Sequence, residues 1–129
     1  TLYPDKWAAG VCAVGISNFV TFLENTGAYR RAIREAEYGS LASDHDMLVA
    51  ISPIHKVDRI TAPLMLIHGT NDPRVPVGEA QQMHDALKAL GREVELIVFA
   101  DEGHGIAKPE NRKHLCRQLA RFFADAFER

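Results

Sequence analysis

Three short apolar runs, spaced by stretches of helical periodicity, constrain this chain more than any other feature. They cover residues 8–16 (AAGVCAVGI), 63–68 (PLMLIH) and 94–99 (VELIVF). Runs of this length bounded by Gly and Pro read as strands buried on both faces of a parallel sheet. The intervening segments repeat at the helical period. Residues 17–26 carry Phe19 and Phe22. Residues 28–37 put Tyr29, Ala32, Ile33 and Ala36 on one helical face, with Gly39 as a stop. Ser43 is placed to cap a short helix that Ser52-Pro53 ends. Residues 78–90 align Ala80, Met83, Leu87 and Leu90, with Gly91 as the cap. Pro109 opens a last helix expected to bury Leu115, Leu119, Phe122, Phe123 and Phe127. Strand, helices, strand, helix, strand, helix is an α/β order, with three parallel strands joined by right-handed crossovers.

The 129 residues suffice for one domain with a real core, and the 47% hydrophobic and 25% charged shares are those of a globular chain. A net charge of −2 gives no electrostatic case for nucleic acid or an anionic membrane, and no apolar run is long enough to span a bilayer. Arg30, Arg31 and Arg34 cluster, but Glu35 and Glu37 among them suggest a solvated helix face. Cys12 and Cys116 have no x-x-C partner and read as packing residues, which favours a reducing cytoplasm. The six histidines form no H-E-x-x-H or comparable spacing, so neither a metal nor another cofactor is expected.

Chemistry concentrates just past the second and third strands. His68-Gly69-Thr70-Asn71-Asp72-Pro73-Arg74-Val75-Pro76 follows one, and Asp101-Glu102-Gly103-His104-Gly105 follows the other. In open α/β sheets, sites form beyond the carboxyl ends of strands. Asp72 lies in a turn-forming Asn-Asp-Pro, and Gly103 and Gly105 are expected to give the His104 turn unusual backbone angles. Taken singly, each is ordinary loop chemistry. Taken together, 32 residues apart with one crossover between them, they favour catalysis by a base and a carboxylate that orients it. A nucleophile on a G-x-S-x-G turn is absent. Ser17 lacks the x-Gly that such a turn needs after the serine, and Ser40, Ser43 and Ser52 fall in turn or cap contexts. Cys12 falls mid-strand, where a thiol is inert.

HGTNDPRVP and DEGHG, with VGISNFVTFLENT upstream, resemble the catalytic domain of the prolyl oligopeptidase family of serine peptidases, in its acylaminoacyl-peptidase and dipeptidyl-peptidase branch. The resemblance covers essentially the whole chain. It implies the C-terminal part of an α/β-hydrolase fold, residues 1–129, with the nucleophile elbow and oxyanion-hole donors lying upstream. It implies Asp72 as triad acid, His104 as general base, and Arg74 as a residue that binds a substrate carbonyl. Val75, Phe19, Ile16 and Phe22 become walls of an apolar pocket, although core packing accounts equally well for Ile16 and Phe22. The expected substrate is a short peptide. A carboxylesterase or lactone hydrolase of the same fold, and a non-catalytic interaction module, are the alternatives. The chain alone is expected to be inactive. Its strand from Ala8 to Ile16 is expected to pair with the upstream remainder of the domain or with a second copy.

Overall fold

A computed structural model describes residues 1–128. Its sheet has three strands in the order β1 (Gly10–Ala13), β2 (Leu64–Gly69) and β3 (Val94–Phe99), all parallel. The register pairs Gly10 with Leu64 and Leu64 with Val94. The first crossover contains α1 (Phe19–Asn25), α2 (Ala28–Tyr38), α3 (His45–Ile51) and a kinked 3-10 segment, Pro53–Arg59. The second is α4 (Gly78–Ala89), and α5 (Pro109–Phe127) follows β3. No helix among the described residues is long and apolar enough to cross a membrane.

The alternation of side chains along β2 explains its unbroken apolar run. Met65 and Ile67 pack with Phe99 and with Leu115, Leu119, Phe122 and Phe123 of α5. Leu66, one residue out of phase, packs with Met83 and Leu87 of α4 and with Val94. Both faces of the strand are therefore buried. A third cluster closes the carboxyl end of the sheet, where Phe22 and Leu23 of α1 meet Leu48 of α3 and Val75.

Several expectations shift. β1 spans only Gly10–Ala13, because Val14 adopts φ 50° and turns the chain out of the sheet. A β-branched residue in that region is unusual and bends the backbone sharply. On α2 the expected apolar face points outward, with Tyr29 73% and Ile33 68% exposed. The reason is Arg31, whose guanidinium donates to the Leu23 and Glu24 carbonyls at 3.1 and 2.8 Å. Those carbonyls belong to the last turn of α1 and lack helical partners. Meeting them turns the Arg31, Arg34 and Tyr38 side of α2 inward. Asp44 rather than Ser43 stands at the start of α3, its carboxylate accepting from Ser40 N–H and Ser43 Oγ. Leu90, Phe127 and Cys116 lie exposed, since the ends of α4 and α5 and the outer face of α5 have no sheet beneath them.

Candidate active site

The loops after β2 and β3 are stitched together by the backbone. Thr70 N–H donates to Phe99 O and Asn71 N–H to Glu102 O, both at 2.9 Å, while Asn71 Nδ2 donates to Ala100 O at 3.1 Å. Gly69 permits this approach. A Cβ there would lie 2.1 Å from Gly103 O and 2.5 Å from Glu102 O, which are backbone atoms that cannot swing aside. Gly103 and Gly105 do not take the unusual angles expected of them; positive φ among the described glycines occurs at Gly39 and Gly91.

Asp72 and His104 meet across this seam. Asp72 Oδ1 accepts from Arg74 N–H at 2.8 Å and Val75 N–H at 3.0 Å, a turn geometry natural to Asp. Its Oδ2 lies 2.8 Å from His104 Nδ1. The Asp72 side chain is fully buried, whereas that of His104 is 34% exposed. Burial pushes the Asp72 carboxyl up. The Val75 and Arg74 N–H groups and His104 outweigh that, so the net direction is down. An ionised Asp72 can only accept, so the His104 proton resides on Nδ1. Nε2 is left as the basic atom.

Two residues of this assembly were not legible as functional. His68, expected only as the end of a strand, is fully buried beneath Asp72. Its Nε2 lies 2.9 Å from the Val75 carbonyl, a pure acceptor, which fixes the proton on Nε2, and 3.3 Å from Asp72 Oδ2. His68 thus ties the carboxylate to the far end of its own turn. Glu102 closes the His104 loop, accepting from Ala107 N–H at 3.1 Å, Lys108 N–H at 2.9 Å and Asn111 Nδ2 at 2.8 Å. The Asn111 bond holds its carboxyl down most strongly, with burial and the Asp101 charge opposing and the two N–H groups assisting.

A cavity of about 470 Å3 opens beside His104. Ile16, Phe19, Phe22, Arg74 and Val75 all line it, and so do Val14, Arg34 and Tyr38. Phe22 serves the cavity and the core at once, being fully buried with Leu23, Leu48 and Val75. Arg34 and Tyr38 were hidden from sequence reading because the periodicity of α2 assigned its inner face to other residues.

Glu79 of α4 holds the aromatic wall in place. Its Oε1 accepts from Ser17 N–H at 3.1 Å and Asn18 N–H at 2.8 Å, and its Oε2 from Thr21 Oγ1 at 2.6 Å and Gln82 Nε2 at 2.8 Å. Asn18 Oδ1 in turn caps α1 through Val20 and Thr21 N–H, and Ser52 Oγ accepts from Phe19 N–H at 2.8 Å. The serine hydroxyls are engaged in structure: Ser17 donates to Glu79 O, Ser43 to Asp44 and Ser52 to Leu48 O, while Ser40 accepts from Ala42 N–H. Among the described residues, no cluster of His, Cys, Asp and Glu could hold a metal ion.

The prolyl oligopeptidase family matches the chain over residues 1–129. Dipeptidyl aminopeptidase BIII of Pseudoxanthomonas mexicana is 38% identical over 118 residues, covering 88% of this chain and 17% of that protein. Dipeptidyl peptidase family member 6 of Caenorhabditis elegans is 36% identical over 117 residues, 86% of this chain and 16% of that protein. The solved structure of the Pyrococcus horikoshii acylaminoacyl peptidase superposes with a TM-score of 0.85 at 26% identity, covering 93% of this chain and 20% of that one. The chain therefore spans about a sixth to a fifth of each of these relatives. Its three parallel strands and flanking helices are those of an α/β-hydrolase fold. With the match running over all of residues 1–129, the chain belongs to the prolyl oligopeptidase family.

Proposed function

We propose that this chain supplies the acid and base of a serine-peptidase triad, and that the protein containing it hydrolyses peptide bonds of short peptides. The 2.8 Å contact between Asp72 Oδ2 and His104 Nδ1 carries the reading. It holds the imidazole in the tautomer that leaves Nε2 basic. In the proposed reaction, a serine supplied from outside this chain loses its proton to His104 Nε2 as it attacks the scissile carbonyl. The new imidazolium is stabilised by buried Asp72 and then gives its proton to the leaving amine. Arg74 binds a substrate carbonyl, and the cavity walls Phe19, Val75, Ile16 and Phe22 receive an apolar side chain beside the scissile bond. The family relationship and the placement of these residues around one cavity support the roles. The free edge of β1 is proposed to pair with the remainder of the domain or with a second copy.

Turnover of a peptidyl anilide and of a p-nitrophenyl ester by the protein containing this chain tests the reading. Anilide hydrolysis should be readily measurable and fall about 10⁴-fold in His104→Ala. Hydrolysis confined to the ester would favour an esterase, and wild-type rates in His104→Ala would remove the assignment.

A further inference from the structure

The cavity beside His104 carries more positive charge than an apolar pocket needs. Its floor is Ile16, Phe19 and Phe22, but Arg34 from α2 and Arg74 from the loop after β2 both line it. Among the described residues no carboxylate lines it, and the Asp72 side chain is fully buried. The remaining arginines of the α2 cluster have structural uses. Arg30 lies over the outward Tyr29 ring, 5.5 Å from its centre, and Arg31 bonds the end of α1.

Arg34 is held as a recognition group would be. Its Cζ stands 5.9 Å from the centre of the Phe22 ring, so the guanidinium is braced against the aromatic wall. Nη1 donates to Glu37 Oε2 at 2.9 Å. That occupies one of the five N–H donors of the group. The Arg34 side chain is 21% exposed and that of Glu37 52%, so water screens the neutralising partner more than the cation. Among the described residues the Arg74 guanidinium has no hydrogen-bond or ion-pair partner; only its backbone N–H is bonded, to Asp72. Two guanidinium groups at one cavity, with donors to spare, match the fork geometry of a carboxylate.

Resting on the reading of this cavity as the peptide site, we infer that Arg34, together with the donors Arg74 has left after binding the substrate carbonyl, recognises a carboxylate of the substrate next to the apolar residue. That carboxylate is the free C-terminus of a short peptide or an acidic side chain. Arg34 thereby sets specificity.

The test is calorimetric titration, which needs no turnover, on the protein containing this chain. N-acetylphenylalanine is compared with its amide, and N-acetylglutamate α-amide with N-acetylglutamine α-amide, in wild type, Arg34→Gln and Arg34→Lys. In at least one pair the carboxylate member should bind wild type about tenfold tighter, a difference of about 1.4 kcal/mol. Which pair shows the gap identifies the source of the carboxylate. Arg34→Gln should bring the ratio close to one, and Arg34→Lys should give an intermediate value, keeping the charge but losing the fork. Arg74→Gln, on a different element, should narrow the same ratio and serves if Arg34→Gln fails to fold. Equal affinities within both wild-type pairs, no measurable binding of either carboxylate ligand, or a gap that survives the glutamine variants would overturn the inference. A gap in a protein that turns over no peptide would leave the carboxylate site standing and remove the peptidase reading.

Discussion

Replacing Glu79 tests whether one buried side chain sets the position of the pocket wall. In Glu79→Ala, the N–H groups of Ser17 and Asn18 lose their acceptor, while Thr21 Oγ1 and Gln82 Nε2 lose one acceptor each and keep Asn18 O and Thr21 Oγ1. A buried donor left unpaired costs about 1–3 kcal/mol, so the two backbone groups alone set a range of about 2–6 kcal/mol. Glu79 also borders an apolar cavity of about 200 Å3 shared with Ser17. Water entering the space left by the carboxylate would satisfy part of the loss, since the freed Ser17 and Asn18 N–H groups make that spot polar even though the adjoining cavity is apolar. The expected cost is therefore in the lower half, about 3 kcal/mol. Glu79→Gln keeps one oxygen for the two backbone donors and gives up acceptance from Thr21 Oγ1 and Gln82 Nε2, each of which has a second acceptor, for about 1 kcal/mol. With a urea slope of about 2 kcal/mol per molar, the midpoint should fall by about 1.5 M for alanine and about 0.5 M for glutamine. Equal midpoints for the two variants, or a fall below about 0.3 M for alanine, would refute the view that this carboxylate holds α1.

Other outcomes follow from the same geometry. Gly69→Ala drives a Cβ into the Gly103 and Glu102 carbonyls and should cost about 3 kcal/mol in thermal or urea unfolding. Gly103→Ala, whose nearest neighbour would be 3.7 Å away, should cost less than about 1 kcal/mol, and equal losses would contradict the close-approach argument. The Asp72, Glu102 and Asp101 carboxyls are all held below their ordinary values in the folded chain. Their stabilisation is present above the ordinary carboxylate range near pH 4 and is lost as pH falls through the depressed folded values. Urea midpoints measured at descending pH should show this loss, and Asp72→Asn should flatten it. Burial raises the Cys12 thiol, with the Gly15 N–H only partly opposing, whereas Cys116 is exposed on α5. A disulfide reagent should accordingly titrate Cys116 quickly and the half-buried Cys12 markedly more slowly in the folded chain.

Local pattern made some of this structure legible and left the rest hidden. The apolar runs located β2, where burial on both faces imposes a continuous apolar sequence, and β3, an edge strand only partly covered but packed through Val94, Leu96, Ile97 and Phe99. The Asp72 and His104 loops were legible because their residues follow those runs directly. β1 was overestimated because the reversal at Val14 is a backbone event that no apolar residue announces. The α2 face was misread because periodicity weighs side-chain polarity, whereas Arg31 answers to two carbonyls on another helix. Glu79 and His68 escaped for the same reason. Each looks like an ordinary residue of its element, and its partners lie across a turn or on a helix some sixty residues away.

The proposed chemistry depends on Asp72 and His104 acting as one unit. The most direct measurement is a double-mutant cycle on kcat/KM for a peptidyl anilide, using the protein containing this chain with Asp72→Asn, His104→Ala and both together. Each single variant should lose about 10⁴-fold, and the double should lose no more than His104→Ala alone, because Asp72 works through the imidazole. Losses that multiply in the double variant, or an Asp72→Asn enzyme near wild-type rate, would contradict the claim.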